Sequence, residues 1–323
     1  MTSDLIRDLF ARSLDNMYLR QMADATVLPS QIDAYRLAMS TDSFVVQPLF
    51  FPGGNVGSLA VHGTVNDVAM SGAKPLWLTA AFILEEGLKM DTLRRVVDSM
   101  ASAARQANVW IVAGDTKVVE HGHGDGMYIN TTGIGIIPQH ITIAPDRGTP
   151  GDVVLVSGTL GDHGIAVLSK REGLTFETDI LSDSAALNGM VAKLLEAVPN
   201  VHCLRDATRG GLAAALNELA TSSGVGIEIN ENAIPIRKSV AAACEMMGFD
   251  PLSVANEGKL ITFVPAEDAD EALRVLQDHP LGRDATQIGT LTAEHPGLVL
   301  ARTSIGGRRV IDLPLGELLP RIC

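Results

Sequence analysis

The stretch GNVGSLAVHGTVNDVAMSGA, residues 54–73, constrains the fold more than any other. Gly, Ala, Ser and Val dominate it, and its polar residues form no continuous stripe. A helix of that kind is not suited to lying with one face in water; it reads as a buried helix whose neighbours approach its backbone closely. The flanking segments supply the enclosing layers. RLAMSTDSFVV (36–46) and PLWLTAAFIL (75–84) read as strands, as do VWIVAGDTKVVE (109–120) and MYINTTGIGIIP (127–138) around the loop HGHGDG. DTLRRVVDSMASAARQAN (91–108) places Leu93, Val96, Val97, Met100 and Ala104 on one helical face, with Asp91 as the expected N-cap.

APDRGTPGD (144–152) combines Pro, Gly and charge without a period and is the best boundary. After it, VVLVSG (153–158) opens a second half. Helices are expected at 184–197, 209–222, 237–247 and 266–278, and strands at 201–206, 225–229, 259–265 and 298–302. The whole is mixed α/β, long enough at 323 residues for two cores. The expected division is 1–147, 148–311 and a flexible tail over 312–323.

A net charge of −13 with no Lys/Arg stripe argues against nucleic acid and anionic membranes. Phosphate ligands stay open, because acidic proteins bind them through metal ions and backbone amides. The longest apolar run, 75–84, is too short to span a bilayer, and the amphipathic start MTSDLIRDLFARSLDNMYLRQMA lacks the core of a signal peptide. Cys203, Cys244 and Cys323 form no CxxC pair and are odd in number. Neither a disulfide framework nor a cysteine zinc site is indicated, and a reducing cytoplasm is expected.

Four segments place an aspartate beside Ser, Thr or Asn near the end of an expected element: STDS (40–43), GTVNDVAMSG (63–72), AGDTKVVE (113–120) and RDATRGGL (205–212). Singly, Asp42, Asp67, Asp115 and Asp206 are equally read as turn formers and helix caps. Together, with Lys117 two residues after Asp115, they point to a nucleotide–metal site, since Mg²⁺ takes hard oxygen ligands and bridges phosphates. No GxxxxGK[ST] or GxGxxG is present. In RDATRGG a strand runs into a turn where Thr208 can cap a helix from about Gly210, either a setting that favours an anion or an ordinary strand–turn–helix joint. NEGK (256–259) puts Glu257 at a strand start, as a general base if buried or as a solvated turn residue if not. His121 and His123 read as a solvated loop rather than a metal site. Cys203 and Cys244 lie in apolar surroundings. Cys323 ends the chain, where chains fray and a thiol is an oxidation hazard unless used.

Taken in order, STDS, GTVNDVAMSG, GDTKVV, RDATRGG, NEGK and the terminal PRIC resemble the HypE family, the carbamoyl dehydratases of nickel–iron hydrogenase maturation. That family belongs with aminoimidazole ribotide synthetase, selenophosphate synthetase and thiamine-monophosphate kinase. The resemblance implies a two-domain PurM-like fold with a dimerising N-terminal domain, a homodimer, and ATP held through Mg²⁺ without a P-loop. It implies that HypF places a carbamoyl group on Cys323, that ATP drives its dehydration to a thiocyanate, and that the cyano group passes to iron on HypC–HypD. By motif match, Asp42, Asp67 and Asp206 become the Mg²⁺ ligands. Asp42, Asn66, Asp67, Gly114, Asp115, Thr116, Lys117 and Arg209 become nucleotide contacts, with Lys117 near the transferring phosphoryl. Glu257 becomes the base that deprotonates the carbamoyl nitrogen, and Arg321 either steers the tail or is solvated. Family members begin with a His-Gly-Ser-Gly-Gly-type loop; this sequence matches from after it, so full ATP turnover is expected to need that loop. Two alternatives remain at this stage: a thiol-bearing scaffold with impaired catalysis, and another ATP-dependent enzyme of the same fold.

Overall fold

The computed structural model describes residues 25–28, 34–174, 180–314 and 321–323. The expectation for the amphipathic N-terminus lies outside the described residues. In the first half the elements are β1 (Thr26–Leu28), β2 (Tyr35–Phe44), β3 (Phe50–Phe51), β4 (Gly54–Asn55), α1 (Val56–Met70), β5 (Lys74–Glu85), α2 (Met90–Ala107), β6 (Trp110–Val119) and β7 (Met127–Pro138). Five of the strands form one sheet in the order β1-β2-β7-β5-β6.

The small-residue helix is α1, and it is buried along nearly its whole length. Asn55 starts it: its side chain accepts the Gly57 and Ser58 N–H groups, and Ser58 reciprocates from the third position. The composition is explained by the neighbours. A Cβ on Gly57 would sit 2.3 Å from the Val96 carbonyl oxygen, and one on Gly63 would sit 2.9 Å from the Phe44 ring. On the sheet face beneath α1, the Thr131 hydroxyl donates to the Ala60 carbonyl at 3.0 Å.

Among the described residues, the opposite face of this sheet is open. Register aligns Met39, Ile134, Trp77 and Trp110 in one row across β2, β7, β5 and β6. Met39, Trp77 and Trp110 are exposed.

The second half contains β8 (Val153–Val156), α3 (Asp162–Glu172), α4 (Asn188–Ala197), β9 (Cys203–Asp206), α5 (Gly211–Ser223), β10 (Gly226–Asn230), α6 (Lys238–Met247), β11 (Leu260–Val264), α7 (Ala269–Asp278), β12 (Thr286–Thr292), β13 (Val299–Arg302) and β14 (Arg308–Val310). Its sheet runs β14-β13-β10-β12-β8-β11-β9. The two halves share cores: Val56 and Leu59 belong to one apolar cluster with Ile165 and Val240, and Val68 to another with Leu155 and Leu194. Among the described residues no helix is long and apolar enough to cross a membrane.

Several expectations need correction. Lys89, not Asp91, stands at the N-cap of α2; Asp91 lies in the first turn and bonds Arg94 at 2.8 Å. Val97 is exposed on that helix, and Ala103 and Ala107 are buried instead. Thr208 does not cap α5, because Gly210 takes the cap position at φ +75° with no side-chain cap. The helix expected from 184 starts only at Asn188. Residues 180–187 stay irregular because their backbone is engaged elsewhere: Leu187 N–H donates to Asn66 and Ala185 N–H to the Glu257 carbonyl. β1, β3, β4, α3, β12 and β14 have no counterpart in the sequence expectations.

The packing of α1 makes a test. Gly57→Ala should cost about 3 kcal/mol, the upper end for forcing a methyl against a packed wall. Gly189→Ala, in α4 with nothing nearer than His279 at 3.9 Å, should be neutral or mildly stabilising. Chemical denaturation of both variants checks this, and equal stabilities would contradict the packing described.

Candidate active site

The inner face of β2, the end of β9 and the loop before β11 meet beside α1. β2 contributes Ser40, whose hydroxyl donates to Asp67 on α1 at 2.7 Å, and Asp42, whose carboxylate takes the Ser43 N–H at 2.7 Å. β9 contributes Asp206, which is buried. The loop contributes Glu257, only 2% exposed and with Oε1 lacking any hydrogen-bond partner. Burial pushes the Glu257 carboxyl well above the usual range, and the negative charges of Asp206, Asp42 and Asp183 push it further; Arg209 works in the other direction. Burial also raises Asp42, against the Ser43 amide and Arg209.

Glu257 is held from its backbone. Its N–H donates to Asp183 Oδ1 at 3.0 Å, and Lys259 pairs with the other Asp183 oxygen at 3.1 Å. Its carbonyl accepts from Asn66 Nδ2 at 3.3 Å. Asn66 also donates to the Ala185 carbonyl at 3.0 Å and accepts the Leu187 N–H at 2.7 Å. This buried amide of the first half is therefore committed to backbone groups of the second. Its neighbour Asn256 accepts the Gly161 N–H at 2.7 Å and donates to the Ala207 carbonyl at 2.9 Å, next to Asp206.

The chain end lies against the segment that follows β2. Val45 N–H donates to the Cys323 carbonyl and Gln47 N–H to the Arg321 carbonyl, both at 3.1 Å. Ile322 is buried in the core that α1 shares with α3, and Cys323 is half-buried. Val45 follows Asp42 by three residues, about 10 Å of extended chain. The expected mobility of 312–323 falls in part on residues 315–320, outside the described residues; at the far end, Arg321–Cys323 is bound. Arg321 pairs with Asp125 at 3.0 Å.

The AGDTK segment stands elsewhere. Gly114, Asp115, Thr116 and Lys117 lie on β6, the exposed edge strand. Asp115 aligns with Ala81, Asn130 and Ser43 across the sheet. That row faces away from α1, whereas Asp42 aligns with the buried Thr131 on the α1 side. Asp115 and Lys117 pair with each other at 2.6 Å and are largely exposed. One chain thus brings Asp42, Asp206, Glu257 and Arg209 into mutual electrostatic reach and leaves Asp115 and Lys117 on the other face. Among the described residues no three His, Cys, Asp or Glu side chains form a ready ion cage.

Other readings resolve simply. His121 is exposed beside Glu85, which accepts the Gly122 and Gly126 N–H groups. Cys203 and Cys244 are buried, with thiols pushed up to about 12 and about 11 by desolvation. Sequence reasoning missed Asp183, Asn256 and His163. Asn256 sits inside the quoted NEGK motif, and GDHGIAVLSKRE, flanked by glycines at 161 and 173, carried a legible helix signal.

Comparison with known proteins agrees with this architecture. The models of the AIR synthase related protein match here in two parts, the N-terminal domain over residues 22–137 and the C-terminal domain over 149–300. Carbamoyl dehydratase HypE of Azotobacter vinelandii is 56% identical over 319 residues, covering 99% of this chain and 93% of the relative. The chain belongs to the HypE family. A solved HypE–HypF complex superposes with a TM-score of 0.91 at 49% identity, covering 96% of this chain and 99% of the other. A HypE structure in complex with ATP gives a TM-score of 0.87 at 52% identity, covering 100% and 96%. Membership in the HypE family removes the alternative of a different ATP-dependent enzyme on the same fold.

Asn66 yields a clear expectation. Asn66→Ala should destabilise the fold by about 3 kcal/mol, because it leaves buried backbone groups unpaired. Differential scanning calorimetry without nucleotide checks this. Unchanged stability would mean that Asn66 is held for a ligand instead.

Proposed function

We propose that this chain dehydrates a carbamoyl group on its own Cys323 to a thiocyanate at the expense of ATP. The observation that carries the reading is the seating of Arg321–Cys323 on the main chain that follows β2, the strand that bears Asp42, and on His163 of α3, whose first turn is bonded to the loop before Glu257. The name of the relatives and the ATP-bound HypE structure support it. The carbamoyl oxygen attacks the γ-phosphorus and breaks its bond to the bridging oxygen, releasing ADP, while nitrogen gives up a proton. Removal of the second N–H proton with cleavage of the C–O bond expels phosphate and leaves S–C≡N. The oxygen of the lost water departs in phosphate.

Glu257 is the base for these protons. Its carboxyl is buried, raised well above the usual glutamate range by desolvation and by the neighbouring carboxylates, and unpartnered at Oε1. A scaffold that had lost catalysis would have no reason to keep such a group, which favours the enzyme reading. The donor set fits Mg²⁺ in its chemistry: the carboxylates of Asp42, Asp206 and Glu257 offer hard oxygens with excess negative charge, as suits an ion that also takes water and phosphate oxygens. Asp42, Asp67 and Asp206 would hold it, where it would neutralise charge on the transferring phosphoryl.

The open sheet face with Met39, Trp77 and Trp110 fits a homodimer. Asp115 and Lys117 then serve the nucleotide across the two-fold, in the partner's cleft; a strictly monomeric mass by light scattering would remove that assignment. HypF is the carbamoyl donor, in line with the HypE–HypF complex, and HypC–HypD accepts the cyano group. The domain division 1–147, 148–311 and 312–323, and a cytoplasmic site of action, complete the reading.

The mass of the C-terminal peptide tests it. After incubation with HypF, carbamoyl phosphate and ATP, the wild-type peptide should lose one water from the carbamoylated form. Glu257→Gln should stay carbamoylated, its conversion slowed at least about a hundredfold, the scale of a lost general base. Carbamoyl on another residue, or water loss at the wild-type rate in Glu257→Gln, would contradict the assignment.

A further inference from the structure

The terminal tripeptide is held mainly by its main chain. The bonds from Val45 and Gln47 have the two-residue spacing of an added strand. The Ile322 carbonyl, between them, meets His163 Nε2 at 2.8 Å. The Arg321 carbonyl meets Arg171 Nη2 at 2.6 Å, and Arg171 Nε donates to the Gln47 carbonyl at 2.8 Å. His163 and Arg171 both come from α3.

The tautomer of His163 follows from its partners. A carbonyl only accepts, so Nε2 carries the hydrogen. Burial lowers the imidazole pKa, which favours the neutral ring. Nδ1 then accepts from the Ser182 hydroxyl at 2.8 Å, while Ser182 Oγ takes the Ser184 N–H at 3.1 Å. Ser182 thereby fixes which nitrogen faces the tail.

The same groups lead to Glu257 by two routes. Asp183, next to Ser182, takes the Glu257 N–H. The first turn of α3 is tied to the loop before Glu257, through Gly161 N–H to Asn256 at 2.7 Å and Gly164 N–H to the Ala255 carbonyl at 3.0 Å. His163 thus stands between the bound chain end and the loop that carries the base.

From this geometry we infer that His163, oriented by Ser182 and aided by Arg171, is a positioning residue that reads the main chain of the terminal tripeptide and sets Cys323 relative to Glu257. The inference rests on Cys323 as the group carrier only in its catalytic half; the docking half is independent of turnover. The rival explanation is packing, since His163 meets Phe51 edge-on with ring centroids 5.4 Å apart. His163→Phe keeps a ring and removes the hydrogen bonds, whereas His163→Gln keeps a donor at similar reach.

Two readouts separate these. Cys323 is labelled with a maleimide in the full chain without nucleotide, where the buried Cys203 and Cys244 stay silent. His163→Phe should label at least about fivefold faster, the scale of one lost hydrogen bond, and His163→Gln near the wild-type rate. In single turnover of the carbamoylated protein, His163→Phe should dehydrate about tenfold more slowly with an unchanged KM for ATP, and His163→Gln should recover most of the rate. If His163→Phe fails to fold, Ser182→Ala and Arg171→Met carry the same comparison. Wild-type labelling and dehydration in a folded His163→Phe protein would overturn the inference, and so would equal defects in the Phe and Gln variants. Faster labelling in His163→Phe together with a carbamoyl group found on a residue other than Cys323 would sustain the docking role and sink the carrier reading.

Discussion

The site depends on how one carboxyl group is enclosed. Glu257 is buried among Asp42, Asp183 and Asp206, so its charge is opposed by desolvation and by like charges together. Folding raises this group, so its contribution to stability is present below its unfolded value, near pH 4.3, and is lost as pH rises. Such a group has to be held by its surroundings. Asn66 from the first half takes the Glu257 carbonyl, Asp183 from the irregular 180–187 segment takes its N–H, and Asn256 joins α3 to the end of β9. The shared cores behind them keep the two sheets in register, and the small residues of α1 allow that approach.

From that centre the two faces of the first sheet acquire different tasks. The inner face carries Ser40 and Asp42 toward the cleft, and past the end of the strand the main chain of Val45 and Gln47 receives the chain end. The outer face carries an apolar row and the Asp115–Lys117 pair. Because side chains alternate along a strand, a motif on β6 can belong to a site only on the face its register selects.

Much of this was legible in the sequence. The glycines and alanines of residues 54–73 announced an enclosed helix, and α1 is that helix. The acidic motifs named Asp42, Asp206 and Glu257, which do converge. Less legible was what depends on long-range pairing. Nothing local in AGDTK says which face of the sheet Asp115 occupies. The late start of α4 reflects bonds to Asn66 and Glu257, distant in sequence, and so overrides a good helical pattern. Asn66 reads as a ligand contact beside Asp67, and the motif does not tell that its side chain also bonds the backbone of residues 185, 187 and 257. The α3 helix was readable from its flanking glycines, and overlooking it hid His163 and Arg171. Thr208 illustrates the limit of capping rules, since a left-handed Gly210 ends the turn first.

The central claim is that enclosure in the cleft raises the Glu257 carboxyl above the usual glutamate range. Infrared difference spectroscopy between wild type and Glu257→Gln, without nucleotide and with a chelator, measures this directly. At about pH 6, where an ordinary glutamic acid is ionised, the wild type should show a protonated carboxyl band that the substitution removes. A carboxylate signal lost in its place would contradict the account.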